Sequence, residues 1–258
     1  MPLIIDDKFI DVDFTVDPHY LMGDNGQDPL FFGDAYEDKF GEMSDKEIDE
    51  AIEKQDADDI GLDDLVVNIF NQGREGSCVA NAWAQSHQIL QAKQVGKDKV
   101  VKLSAISLYK QIGTSPSSGA NVTNGGEKMS KVGILPLDTP ENRAKFKHVM
   151  PATGFYEKYP QNWQDTAKMF RGLEMYRCKT VKGIFSANLR GCPVIVGRQG
   201  HSIVYIRPTL YKGRRVMKYP NSWGNWGDNG YGYDTQSQIE MSASGAWAIR
   251  SVVFNLAG

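Results

Sequence analysis

The chain has 258 residues, a length that one two-lobed domain fills and that buries a proper core. Hydrophobic residues at 41%, aromatics at 10% and charged residues at 24% exclude a fibrous, collagen-like or wholly disordered chain, and no run approaches the roughly 18 apolar residues of a membrane span. The net charge of −3 hides a split: residues 1–64 carry 21 acidic residues and four lysines, a net −17, and residues 65–258 carry 11 acidic and 25 basic residues, a net +14.

That asymmetry reads as an acidic arm on a basic body. Two uses follow: the arm folds against its own body, or one half binds a partner such as a neighbouring protein subunit. In either case the contacts are expected to weaken as salt rises. The basic residues of the body are spread along it without a nucleic-acid-binding motif, so nucleic acid is not an expected partner. Met1 to Asp7 has neither a basic start nor an apolar run, so no secretion signal is read. The three cysteines, Cys78, Cys178 and Cys192, are too few for a disulfide framework and form no C-x-x-C pair, which fits a reducing compartment.

In chain order, residues 1–43 show no sustained period and read as an extended, partly docked arm with apolar clusters at Phe9-Ile10 and Leu30–Phe32. Ser44 with Glu47 forms a capping box, and Ile48 with Ile52 gives a short amphipathic helix to about Gln55, followed by an acidic loop over 56–64. Beyond a glycine-rich turn at 71–76, Val79, Ala82, Trp83, Ser86 and Leu90 recur at helical spacing, with Ser77 as N-cap. A further helix runs from Leu103-Ser104 to Ile112, a loop covers 115–126, and a short helix covers 127–132 before Gly133. Helices are expected over 163–172 and 182–190, then β-branched strands over 193–196, 202–207, 215–219 and 246–254. Helices first and strands later imply two unlike lobes within one α+β domain.

Cys78 opens the best helix, where unsatisfied backbone NH groups and the positive end of the dipole favour a thiolate. A thiol nucleophile needs a base, and the base an orienting group. Of the four histidines, His19 lies in the arm, His87 sits more than two turns along the Cys78 helix and His148 stands among lysines. His201 begins an apolar strand after Gly200, and Asn221 opens the glycine-aromatic run Asn221 to Tyr233. No metal-ligand cluster or phosphate-cradling loop is present, and no cofactor is expected.

Asn71-Gln72-Gly73-Arg74-Glu75-Gly76-Ser77-Cys78-Val79-Ala80-Asn81-Ala82 resembles the Gln-Gly, four-residue spacer, Cys signature of papain-like cysteine peptidases, in the form of their short bacterial and viral members. Leu103-Ser104 with Leu108-Tyr109, then Asn124-Gly125-Gly126, Gly200-His201-Ser202, and Asn221-Ser222-Trp223-Gly224 with Trp226 to Tyr231 resemble the family's later landmarks in their order. The resemblance spans 65–258 and leaves 1–64 as an acidic arm with one short helix. It implies a helical left lobe carrying the Cys helix and an antiparallel, β-barrel-like right lobe carrying His and Asn.

It further implies Cys78 as nucleophile, His201 as the proton carrier, Asn221 as its orienting group and Gln72 in the oxyanion hole, with Trp223 shielding the His201–Asn221 bond. Gly125 and Gly126 would bare a backbone to an extended polypeptide substrate. The implied activity is peptide-bond hydrolysis, or acyl transfer with the same residues, in an intracellular setting or a virus particle. The alternative is a papain-like fold used as a structural part of an assembly, latent or inactive. Val79 stands where an aromatic commonly follows the nucleophile. Glu75 and Thr123 stand where secreted relatives carry disulfide cysteines, and 1–64 lacks the helical signature of an inhibitory prosegment.

Overall fold

The computed structural model describes residues 33–198 and 200–256, with the backbone of 2–5 and 8–11. The side chains of the Phe9-Ile10 and Leu30–Phe32 clusters, and His19, lie outside the described residues. Strands β1 (Pro2–Ile5) and β2 (Lys8–Asp11) form an antiparallel hairpin. A short helix α1 (Tyr36–Phe40) and helix α2 (Asp45–Asp58) follow, α2 being held at its start by the reciprocal Ser44–Glu47 capping box. The acidic stretch beyond it contains a 3-10 turn at Leu62–Leu65 rather than plain loop.

The left lobe is helical: α3 (Cys78–Val95), α4 (Ala105–Ile112), α5 (Val122–Lys131) and the short α6 (Pro140–Lys145) and α7 (Trp163–Ala167). Two expectations change here. Helix α5 starts five residues before position 127, because Asn121 caps it by accepting from the Asn124 amide. Helix α7 stops at Ala167, and Arg171–Cys178 forms strand β3, whose first two residues were expected to end the helix over 163–172 and whose remainder was unassigned.

The right lobe adds α8 (Val181–Leu189), β4 (Val194–Arg198), β5 (His201–Tyr205), β6 (Arg207–Tyr211), β7 (Arg214–Pro220), β8 (Tyr231–Thr235), α9 (Gln236–Ser242) and β9 (Ala246–Val253). Its antiparallel strands form two sheets, in orders β3-β9-β4-β5 and β6-β7-β8. The expected antiparallel lobe is present, but these are two open sheets and not a closed barrel.

Strands β4 and β5 of the four-stranded sheet are buried on both faces, so they read as nearly continuous apolar runs. Ile195, Val204, Trp247 and Ile249 face the first core with α3, α4 and α5. Val194, Val196, Ile203, Tyr205 and Ala248 face a second core, which Tyr36, Ile48 and Ile52 of the acidic segment complete with Ile184 and Phe185. Residues 36–52 therefore supply core to the right lobe.

Charge reinforces that docking. Arg215 donates from Nε to Asp49 at 2.7 Å and from Nη1 to Asp45 at 2.9 Å, Lys218 pairs with Asp63 at 2.8 Å, and Arg207 lies between Asp56, Asp59 and Asp63. Glu37 Oε1 accepts from the Lys179 and Thr180 amides at 2.8 and 3.1 Å, at the start of α8. Of the two uses open to the acidic stretch, residues 37–63 follow the first.

Candidate active site

The Gln72–Cys78 segment is laced to the Asn221 segment although about 150 residues separate them. Gln72 donates its amide to Ser222 O at 2.8 Å and accepts from Ser222 Oγ at 2.5 Å, and Gly224 donates to Phe70 O at 3.1 Å. Gln72 Nε2 also donates to Glu75 O at 2.7 Å, so the amide side chain is oriented at both ends. Glu75 Oε1 accepts from the Gly154 and Phe155 amides at 2.9 and 2.8 Å, tying this turn to the loop after Met150. A carboxylate thus staples this turn to the loop. Gly76 is needed for close approach: a Cβ there would stand 3.1 Å from Gly119 N and 3.2 Å from Tyr109 Oη.

Cys78 is the first residue of α3 and fully buried. Ser77 occupies the N-cap position, but its side chain makes no cap bond; its carbonyl and hydroxyl accept from Asn81 Nδ2 at 2.9 and 3.0 Å. The first turn of α3 contains no acidic residue, so the helix dipole acts there on Cys78 unopposed from its own helix. No described cysteine is in a disulfide.

His201 opens β5, and its Nε2 lies 2.9 Å from Asn221 Oδ1. Because a carboxamide oxygen only accepts, the neutral ring carries its proton on Nε2, leaving the Nδ1 lone pair available. Nδ1 is buried with no hydrogen-bond partner. Burial pushes the imidazole down to about 3; the Asn221 bond acts upward and the Arg198 charge downward. The Trp223 ring lies 4.6 Å from the His201 ring at 30°, and Trp226 stands edge-on to Trp223 at 5.4 Å. Asn221, 1% exposed, is fixed through its own amide, which donates to Gly230 O at 2.8 Å.

Helix α3 packs on β5, so its first residue and the first residue of β5 come from two directly packed elements. Gln72, Asn221 and Trp223 thus belong to one laced region with His201, and Cys78 opens the helix packed on the His201 strand. Gly125 and Gly126 lie beside this region in a helix rather than in the loop expected over 115–126, with Gly125 packed near Val79, the neighbour of Cys78. Both lie in the first turns of α5, the Gly125 amide donates to Asn121 O at 3.0 Å, and a Cβ on either would come within 2.7 Å of the Trp83 ring. They are glycine so that α5 can press on Trp83. Ser222 and Glu75 stand inside the motifs quoted above, but their hydrogen bonds, to Gln72 and to the Gly154–Phe155 amides, have no signal in the sequence.

This architecture, a helix headed by cysteine against an antiparallel sheet headed by histidine, is the papain-like fold. No family model and no curated protein matches the sequence. Solved structures do match. Xylellain, a cysteine protease from Xylella fastidiosa, superposes with a TM-score of 0.55 at 20% identity over 71% of this chain and 82% of that one. Digestive procathepsin L 3 of the Tenebrio molitor larval midgut gives 0.57 at 15% identity over 72% and 67%, and procathepsin B S9 of Trypanosoma congolense gives 0.53 at 15% over 78% and 76%. Among the described residues no helix is long and apolar enough to cross a membrane.

Proposed function

We propose that the chain is a thiol-dependent hydrolase of peptide bonds with Cys78, His201 and Asn221 as its triad. The observation that carries this is the His201 Nε2–Asn221 Oδ1 bond beneath Trp223, which leaves Nδ1 as the open base of a ring on a strand packed against the Cys78 helix. His201 Nδ1 takes the Cys78 proton, and the thiolate forms a bond to the substrate carbonyl carbon as the carbonyl π electrons move to oxygen. The imidazolium is a costly ion in this buried site, and the thiolate formed with it offsets that cost.

The oxyanion is met by the Cys78 amide and the Gln72 Nε2–H, with Gln72 held by Ser222 and Glu75. As the C–N bond breaks, His201 passes its proton to the leaving amine. Water, deprotonated by the same ring, then cleaves the thioester, returning the proton to sulfur. Asn221 keeps the ring in the required tautomer throughout, and Trp223 keeps water from their bond. Polypeptide is the substrate class, and the cysteine protease names of the solved neighbours accord with it.

Hydrolysis of dye-labelled casein and of a fluorogenic peptide set by the folded protein tests this. Turnover that disappears in Cys78→Ala and falls on the order of 100- to 1000-fold in Gln72→Ala is expected. Turnover that survives Cys78→Ala, or none by the unaltered protein, overturns it.

A further inference from the structure

Behind His201 the chain buries an ion pair that this chemistry does not use. Arg198 ends β4, is 5% exposed, and stands directly opposite His201 in the β4–β5 ladder. Residues so placed project from the same face with Cβ atoms within about 5.5 Å. Arg198 Nη1 donates to Asp234 Oδ1 on β8, and Nη2 donates to Tyr219 Oη on β7 at 2.9 Å. Tyr205 Oη, on His201's own strand, donates to Asp234 Oδ2 at 2.6 Å. Asp234 and Tyr219 are 1% exposed and Tyr205 is fully buried.

Taking two charges out of water is costly, and apolar side chains of similar size often hold a core equally well, so bulk stability alone does not account for this group. Its position does. His201 opens β5 in the four-stranded sheet, whereas Asn221 follows β7 in the three-stranded sheet, only two residues after Tyr219. The His201–Asn221 bond therefore spans two sheets, and the Arg198 group ties those same sheets with side chains from β4, β5, β7 and β8.

We propose that Arg198 is a positioning residue for His201: with Asp234, Tyr205 and Tyr219 it clamps the two sheets at the separation the His201–Asn221 bond requires, and it holds a cation facing the imidazole. This rests on His201 serving as the base. The other groups facing the ring are Asn221 and Trp223, from the segment after β7. Helix α3, packed on β5, carries Cys78 at its start and no other charged or titratable residue until His87. Asp234, Tyr219 and Tyr205 stand behind Arg198. Burial works against the Arg198 charge, but Asp234 and the tyrosines outweigh it and hold the guanidinium protonated. A fixed cation beside the ring makes imidazolium a better acid, which favours returning the proton to the leaving amine.

The test compares the unaltered protein with Arg198→Lys, Tyr219→Phe and the paired Arg198→Met/Asp234→Leu, each checked for folding by circular dichroism. The His201 ring is followed by NMR titration of carbon-13-labelled histidine and assigned by its loss in His201→Ala. In the paired variant the His201 midpoint is expected to rise by about one pH unit, because the facing cation is gone while packing is retained. Tyr219→Phe should move it the same way by less, and Arg198→Lys should stay nearer the unaltered protein. His201 midpoints unchanged in the folded variants, within about 0.2 units, overturn the clamp. If the paired variant does not fold, Tyr219→Phe and Arg198→Lys still decide. Absence of Cys78-dependent hydrolysis in the unaltered protein would sink the proposed function alone, since the titration reads the clamp without turnover.

Discussion

Two regions of this molecule use the same chemistry, arginine against aspartate, in opposite surroundings. At the seam between the acidic segment and the right lobe, Arg215 meets Asp45 and Asp49, whose side chains are 60% and 47% exposed. Beneath His201, Arg198 meets Asp234, with side chains 3% and 1% exposed. Exposed pairs are screened and contribute little, whereas a buried pair is tolerated only while complete. The seam therefore holds mainly through Tyr36, Ile48 and Ile52, and its ion pairs choose orientation. The buried pair sets geometry beside a candidate catalytic base. The expectation that the arm is held by salt-sensitive contacts is narrowed accordingly: salt weakens the ion pairs and leaves the apolar contact in place.

Removing one member of the buried pair should have the largest effect. Asp234→Ala strands the Arg198 cation and is expected to cost about 3–5 kcal/mol in urea unfolding. A loss below about 1 kcal/mol would place the pair energetically with the seam. Next comes the seam's apolar part, where Ile52→Ala should cost about 2–5 kcal/mol. Arg215→Gln, by contrast, should cost under about 1 kcal/mol, with the difference shrinking further in 1 M salt. Equal costs for the two would contradict the division drawn above.

Acid separates buried from exposed groups in a different way. His87 is fully buried between Gln91 Nε2 at 3.0 Å and Val253 O at 3.1 Å, and burial pushes its pKa down to about 4. The unfolded chain, with histidine near 6.5, binds a proton that the folded chain refuses, so stability falls as pH drops from about 6.5 to 4. The total loss is about 3 kcal/mol, and His87→Gln should flatten that limb. Asp45 is held below the usual carboxylate range by its Lys182 and Arg215 hydrogen bonds, so its contribution persists until lower pH. Thermal melts across pH 4–7 that show no His87-dependent slope would break this ordering.

What the sequence made legible followed from periodicity and local capping. Val79, Trp83 and Leu90 marked α3, and Ser44 with Glu47 marked the start of α2, because both signals are local. Strand β3 was hidden because Arg171, Glu174 and Arg177 interrupt its apolar positions, and its partner β9 lies some 70 residues on. The onset of α5 was hidden because Gly125-Gly126 reads as loop until Trp83 is seen to fill the space. Strand β8 was hidden because it is a tyrosine-glycine alternation whose one β-branched residue is Thr235, and α9 went unread although Thr235 with Gln238 forms a capping box at its start. At the candidate site, His201, Asn221 and Trp223 were legible as motif residues. Arg198 and Asp234 were not, since a charged residue at a strand end ordinarily reads as solvated and only tertiary packing brings the two together.

The most direct measurement of the central claim is the rate at which iodoacetamide alkylates each cysteine of the folded protein, read peptide by peptide by mass spectrometry. All three thiols are buried, and burial pushes Cys178 well up and Cys192 up to about 11, so neither favours thiolate near neutral pH. Cys78 alone stands at a helix start on an element packed against the His201 strand. The account predicts alkylation of Cys78 far ahead of the other two at pH 7, and its loss in His201→Ala. Equal, slow labelling of all three cysteines, or labelling of Cys78 indifferent to His201, would contradict it.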